Sequence, residues 1–164
     1  MKKVNVTIVI LTFGIISFGQ TSDLKAKFEA VLRKTDPSYK VYINKAGGYL
    51  EIDHTVPDGS KVGIQFPYMI VKFMYKNISD EEHNKYNGKM HVVSNNSDYY
   101  IDNESKPIEH LKYHDYVKMS CPNGSQCFLN TDGSKTDLSD VSQAFKSKDD
   151  AYKFLDLIDQ LKKQ

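Results

Sequence analysis

The sequence contains no tryptophan, one arginine and two cysteines among its 164 residues. Arginine is the side chain that best grips phosphate or carboxylate through two parallel hydrogen bonds, so its near absence argues against such a clamp. The 22 basic and 21 acidic residues are interspersed, and the clustered basic surplus of a nucleic-acid binder is missing. After residue 19 no apolar run reaches the roughly 20 residues that a spanning helix needs. The sequence therefore predicts neither a nucleic-acid partner nor a transmembrane segment beyond that point.

The start of the chain has the pattern of an export signal. Lys2 and Lys3 precede a short apolar run, and small residues at the expected cleavage positions end at Gly19. No cysteine follows the run, so no lipid anchor is expected on the new N-terminus. We expect a signal peptide at residues 1–19, one α+β domain at residues 20–164, and a periplasmic or secreted location.

The two cysteines, Cys121 and Cys127, are predicted to form a disulfide. In an exported chain an even, closely spaced pair favours a disulfide, with two buried free thiols as the alternative. Asn123-Gly124 lies between them and is a strong signal for a tight turn. We therefore predict that the bond fastens a hairpin whose strands return alongside one another.

Hydrophobic periodicity predicts a helix at each end of the domain and strands between them. Residues 22–34 place Leu24, Phe28, Val31 and Leu32 on one face. After residue 38 the period changes to two, which is typical of strands. The predicted strands are residues 39–43, 49–52, 62–66, 68–75, 90–94, 99–102, 113–121, 126–130 and 141–145. Of these, residues 68–75 are apolar on both faces except at Lys72, which is typical of a strand buried on two sides, with a helix as the weaker alternative. Pro67 marks the break before that strand.

The C-terminal segment predicts a capped amphipathic helix. Ser147 is a suitable N-cap, and the apolar face that follows consists of Ala151, Phe154, Leu155, Ile158 and Leu161. The order of helix, about seven or eight antiparallel strands and helix predicts an α+β fold. We expect a barrel or a strongly bent sheet, with the last helix covering an open end.

This ending resembles the last strand and closing helix of pleckstrin-homology-like barrels. The resemblance covers about the final quarter of the chain and is carried by Val141, Phe145, Ser147, Asp150, Ala151, Phe154, Leu155 and Ile158. It implies a binding scaffold rather than an enzyme. The basic phosphoinositide loop of membrane-binding members is not present at residues 45–48, so the resemblance assigns no ligand residue.

An aromatic series in the middle of the chain is the predicted contact surface. Tyrosine offers an apolar ring and a polar tip, and it is common in recognition patches. The alternative is that many of these rings pack within the sheet. The predicted binding residues are Tyr99, Tyr100, His110, Tyr113, His114 and Tyr116.

Two patterns in the sequence could form a metal site, but a simpler structural interpretation is favoured for each. His110 and His114 would share one face of a helix and could hold a metal with a carboxylate such as Glu109 or Asp115, but the segment fits a loop entering a strand at least as well. A later loop is rich in oxygen ligands, yet it lacks the glycine position and closing glutamate of an EF-hand, so a polar turn is favoured over calcium. That loop contains Asn130, Asp132, Ser134, Asp137 and Asp140. No metal and no cofactor are predicted.

The sequence favours an exported, non-catalytic binding module that recognises a protein, a peptide or an envelope component. No acid, base and nucleophile form a recognisable catalytic set. Two alternatives stay open at this point: a secreted hydrolase with a metal- or carboxylate-assisted site, and a carrier of a small apolar ligand.

Overall fold

Two helices and nine strands make up an α+β fold in the part of the chain that the structure describes. This computed structural model describes residues 22–55, 59–77, 89–94, 97–102 and 113–164, so the predicted signal peptide at residues 1–19 lies outside it. The elements are α1 (residues 22–32), β1 (Lys40–Asn44), β2 (Tyr49–Thr55), β3 (Lys61–Pro67), β4 (Lys72–Asn77), β5 (Lys89–Ser94), β6 (Ser97–Asp102), β7 (Asp115–Ser120), β8 (Leu129–Asn130), β9 (Asp140–Phe145) and α2 (Lys148–Lys162).

Both helices lie where their apolar periodicity places them. All four apolar residues predicted for the buried face of α1 are buried, and α2 buries Leu157 in addition to most of its predicted face. Ser147 caps α2, since its hydroxyl accepts a hydrogen bond from the backbone N–H of Asp150. Among the described residues, no helix is both long and apolar enough to cross a membrane.

The strands form separate antiparallel sheets rather than one continuous ladder. The first sheet has the order β1-β2-β3-β8, and the second has the order β4-β7-β9. β5 pairs with β6 in a two-stranded hairpin. The predicted α+β class is therefore confirmed. The predicted barrel is not, because the described strands do not close into one.

The predicted strand at residues 68–75 is wrong in its first half. Pro67 ends β3, and its carbonyl accepts hydrogen bonds from the N–H groups of Ile70 and Val71 to form a turn. Tyr68 and Val71 are buried, whereas Met69 and Ile70 point into solvent. The apolar run is therefore a turn followed by β4, and the outer face of β4 is exposed.

The predicted disulfide is confirmed, but it does not fasten a hairpin. The Cys121 and Cys127 sulfur atoms lie 2.00 Å apart, and Asn123 and Gly124 both adopt positive φ in the turn between them. β7 precedes the loop and belongs to the second sheet, whereas β8 follows it and belongs to the first. The bond therefore stabilises the connection by which the chain passes from one sheet to the other.

The two helices, the first sheet and the second sheet share one hydrophobic cluster. Phe154 on α2 contacts Phe28 on α1 with ring centroids 5.5 Å apart, and Phe145 on β9 at 5.2 Å. α1 also covers the free edge of the first sheet, because the Glu29 carboxylate accepts a 3.1 Å hydrogen bond from the N–H of Val41. A covered edge is protected from pairing with another strand.

A buried carboxylate joins the end of α1 to the start of α2. Asp150 Oδ1 accepts a 2.5 Å bond from Lys34 Nζ, and Oδ2 accepts one from the Ser147 hydroxyl. Burial alone would raise the pKa of Asp150, but the hydrogen bonds from Lys34 and Ser147 and the charges of Lys34 and Lys153 together lower it. The ionised carboxylate is thus the form that the fold stabilises.

Replacing Asp150 by asparagine is expected to lower stability by about 1 kcal/mol at neutral pH, since a charged hydrogen bond to a half-exposed lysine is lost. Because the folded-state pKa lies below the unfolded value, this contribution is present above about pH 4 and disappears as the pH falls through the folded pKa. Urea unfolding of both proteins from pH 7 to pH 3 checks this. A constant difference between them across that range would contradict the assignment.

Candidate functional site

Asp115 accepts hydrogen bonds from two side chains at the end of the second sheet. The Tyr75 hydroxyl donates to Asp115 Oδ1 at 2.6 Å, and Asn77 Nδ2 donates to the same oxygen at 3.2 Å. Asn77 lies opposite Asp115 in the β4–β7 pairing, and Tyr75 precedes it by two residues on the same face. Asn77 Nδ2 also reaches the carbonyl oxygen of His114 at 3.4 Å. The sheet register thus fixes the orientation of the Tyr75 phenol.

The Tyr75 ring packs against Tyr152 on the first turns of α2. The ring centroids lie 5.1 Å apart, and Lys148 Nζ lies 5.7 Å from the Tyr75 centroid and 5.8 Å from that of Tyr152. Lys148 and Tyr152 are four residues apart, so they share one face of the helix. Tyr152 keeps 45 % of its surface exposed. We call Tyr75, Asn77, Asp115, Lys148 and Tyr152 the tyrosine–lysine cluster.

The electrostatics of the cluster keep the Tyr75 phenol protonated. Its hydrogen bond to Asp115 raises the pKa of Tyr75 to about 12, with smaller contributions from burial and from the carboxylate charge. Ionisation would remove the donated hydrogen and place two negative charges side by side. The phenol is therefore a hydrogen-bond donor at any physiological pH.

Replacing Tyr75 by phenylalanine is expected to remove one late-ionising phenol from the alkaline titration. The folded pKa lies above the unfolded value, so the bond stabilises the fold fully below pH 10 and the stabilisation is lost as the pH rises toward 12. The difference in tyrosinate absorbance between wild type and Tyr75→Phe isolates this group.

The substitution Asp115→Asn is the matched control, because it keeps the phenol and removes the negative charge. It should lower the pKa of Tyr75 toward 10. Burial also raises the pKa of Tyr39 and Tyr116, so some late absorbance remains in every variant. A late absorbance of equal size in wild type and Tyr75→Phe would contradict the assignment.

Three of the residues predicted from sequence lie beside this cluster. Tyr113 and His114 lead into β7 and are partly buried, and the backbone of His114 is bound by Asn77. Tyr116 pairs with Lys76 and Ala144 on the face of the second sheet opposite to Tyr75. Burial raises the pKa of Tyr116. The structure thus brings the segment 113–116 to the cluster but directs Tyr116 to the other side of the sheet.

The other predicted binding residues have no described side chains. Tyr99 and Tyr100 lie on β6, where they pair with Val92 and His91 of β5, and only this backbone pairing is described. His110 lies outside the described residues. A site that unites all six aromatic and histidine residues stays a prediction.

A second polar group lies on the outer face of the first sheet. Gln65 Nε2 donates to Glu51 Oε2 at 2.5 Å, and neighbouring Asp53 keeps Oδ1 buried without a hydrogen-bond partner. Burial raises the pKa of the Asp53 carboxyl, and the charge of Glu51 raises it further. Gly63 lies opposite Asp53, and a Cβ atom there would come within 2.0 Å of Asp53 Oδ1. The absent side chain of Gly63 is what makes room for this carboxylate.

The oxygen-rich loop after β8 uses its polar side chains for local hydrogen bonds. Hydrogen bonds from the Ser134 side chain and then from the Ser134 N–H lower the pKa of Asp132. Asn130 Nδ2 donates to the Ser134 hydroxyl. Asp140 forms an ion pair with Lys118. Within the described ranges no group of three His, Cys, Asp or Glu side chains could hold a metal ion.

Sequence reasoning missed most of the tyrosine–lysine cluster because its members come from three distant segments. The one local signal is the spacing of four between Lys148 and Tyr152 on the predicted helix. The position of Asp115 beside His114 indicates a possible metal ligand and gives no sign that it accepts a hydrogen bond from Tyr75. Comparison with protein-family models, with curated proteins and with solved structures finds no match to this chain.

Proposed function

We propose that this chain is an exported, non-catalytic binding module whose contact surface is the tyrosine–lysine cluster. One observation carries the proposal: Tyr152 presents nearly half of its surface to solvent while Tyr75 and Lys148 hold its ring in place. Exposed aromatic area that is already ordered loses little side-chain entropy on binding. The ring is therefore suited to act as an anchor for a partner.

The chemistry of the cluster fits a protein or peptide segment. Such a segment would lay an apolar side chain against the two tyrosine rings and offer a hydrogen-bond acceptor to the exposed Lys148 ammonium. Tyr75 does not compete for that acceptor, because its hydroxyl is engaged by Asp115. Recognition of this kind, through two tyrosine rings and the Lys148 ammonium group, is binding without catalysis.

The proposal includes export from the cytoplasm and a scaffold of the pleckstrin-homology-like kind. The lysines and apolar run of residues 1–19 support export, and the Cys121–Cys127 disulfide is of a kind that persists in oxidising compartments. β9 is followed directly by the Ser147-capped α2, which packs on the strands as the closing helix of a pleckstrin-homology-like scaffold would. A partner in the periplasm, the envelope or the medium fits these features.

Capture from envelope extracts by immobilised wild type, Tyr152→Ala and Tyr42→Ala tests the surface. Tyr42 is the matched control, because it is also 45 % exposed and also lies beneath a lysine, with Lys25 Nζ 5.1 Å from its ring. We expect a component whose recovery falls by about tenfold in Tyr152→Ala, as for an interface hot spot, and stays within about twofold in Tyr42→Ala.

Equal recovery by wild type and Tyr152→Ala would reject the cluster as the contact surface. Tyr116→Ala, measured in parallel, separates the two faces of the second sheet. A loss confined to Tyr116→Ala would assign recognition to the opposite face.

A further inference from the structure

Three loops meet at the end of the fold where β4 begins. The N–H of Tyr68 donates to the carbonyl of Gly48 at 3.2 Å, which places the β3–β4 turn against the β1–β2 turn. Lys72 pairs with Ser120, the residue before the disulfide loop. We call residues 45–48, 68–71 and 121–127 together the Met69 end.

The Met69 end exposes two adjacent bulky apolar side chains. Met69 keeps 58 % of its surface in solvent and Ile70 keeps 53 %, although the buried Tyr68 and Val71 on either side fix the turn firmly to the core. A hydrophobic pair on a rigid turn costs free energy in water without serving the core. Its position at a tip, rather than in a groove, is suited to insertion into another apolar medium.

The three segments of the Met69 end carry no acidic side chain, although the neighbouring loop, whose Ser139 carbonyl accepts from the N–H of Cys121, contains Asp137. Lys45 lies in the first turn and Lys72 follows the second. Asp140, opposite Ser120, is paired with Lys118 Nζ at 3.2 Å. The tip therefore presents apolar side chains flanked by ammonium groups, a pattern that complements an anionic lipid surface.

We propose that the Met69 end docks on the surface of an anionic phospholipid bilayer. Met69 and Ile70 enter the boundary between headgroups and acyl chains, and Lys45 and Lys72 contact the phosphates. The uncharged loop at residues 121–127 can approach the same plane without burying a charge. This attachment is peripheral and reversible, because two side chains bury far less apolar area than a spanning helix.

The test is flotation of the purified chain with vesicles of phosphatidylglycerol and phosphatidylcholine, and with vesicles of phosphatidylcholine alone. We expect binding to the anionic vesicles that weakens with added salt. The double variant Met69→Ser/Ile70→Ser should lower the partition coefficient by about tenfold or more. Lys45→Gln and Lys72→Gln should each lower it by about fivefold.

Matched controls come from the opposite end of β3. Val62 is 48 % exposed and Lys61 is exposed, so Val62→Ser and Lys61→Gln should change the partition coefficient by less than about twofold. Every variant carries the same residues 1–19, so any lipid affinity of that segment is common to all. Far-ultraviolet circular dichroism and thermal unfolding check that each variant is folded.

Three outcomes would overturn the inference: no binding to anionic vesicles, equal binding to both vesicle types, or an equal loss in Val62→Ser. Self-association that Met69→Ser/Ile70→Ser abolishes, without vesicle binding, would assign the tip to a second copy of the chain instead. Capture is judged by the effect of Tyr152→Ala, and vesicle binding by the effect of Met69→Ser/Ile70→Ser, so failure of the proposed function and failure of this inference are distinguishable.

Discussion

Replacing Phe154 by alanine is expected to lower the free energy of unfolding by about 3–5 kcal/mol. The side chain has no exposed surface, and its ring contacts Phe28 on α1 and Phe145 on β9. Truncation would leave a cavity where both helices meet the second sheet, and the surrounding rings can fill it only in part. Urea unfolding followed by far-ultraviolet circular dichroism measures the loss.

Tyr152→Ala is the control, because it removes an aromatic ring of similar size from the exposed face of the same helix. Its cost should be about 1 kcal/mol, mainly from the contact with Tyr75. Losses of the same size for both variants would contradict the placement of Phe154 at the centre of the hydrophobic cluster.

Replacing Gly63 by alanine is expected to cost about 1–3 kcal/mol, although only one methyl group is added. The new Cβ would lie 2.0 Å from Asp53 Oδ1 and 2.5 Å from Thr131 Cγ2. Either the carboxylate must leave its buried position or β3 must shift away from β2. The free energy of unfolding at pH 7 reports the cost.

A double-mutant cycle with Asp53→Ala identifies the cause. Asp53→Ala alone should be close to neutral or stabilising at pH 7, because it removes a buried oxygen without a hydrogen-bond partner from a carboxyl whose pKa is raised. In that background Gly63→Ala should cost less than about 1 kcal/mol, since exposed Thr131 can rotate. Strict additivity of the two changes would reject the steric explanation.

The elements that sequence predicts well are those specified by neighbouring residues. Ser147 and the apolar spacing after it define α2 within four turns of chain, and the glycines at residues 47 and 48 define the β1–β2 hairpin. The pairing of Cys121 with Cys127 follows from there being only two cysteines. Each of these predictions depends on contacts between residues that are close along the chain.

The features that sequence misses depend on distant pairing. Asn77 at the end of β4 and Asp115 at the start of β7 are 38 positions apart in the chain. Neither segment has a local pattern that identifies the other as its pairing partner. For this reason the disulfide was expected inside a hairpin, although it lies between two sheets. The run after Pro67 was expected to be one buried strand, because periodicity cannot show that Met69 and Ile70 leave the core while Tyr68 and Val71 enter it.

The candidate site illustrates the same limit. The aromatic residues predicted from sequence lie close together in the chain, because proximity in sequence was the available signal. The cluster around Asp115 instead takes Tyr75 from β4 and Tyr152 from α2, and it forms only when the second sheet and α2 are assembled. Its members were individually visible in the sequence, but their convergence was not.

The direction of β4 has a consequence for how the two proposed contact regions operate together. Lys72 at its start directly follows the Met69 end, which is proposed to face lipid, and Asn77 at its end belongs to the tyrosine–lysine cluster, which is proposed to bind a partner. An extended strand of this length measures about 17 Å between its first and last residues. If both proposals hold, β4 would act as a fixed spacer that holds the bound protein away from the headgroups, whereas a flexible tether would leave that distance variable.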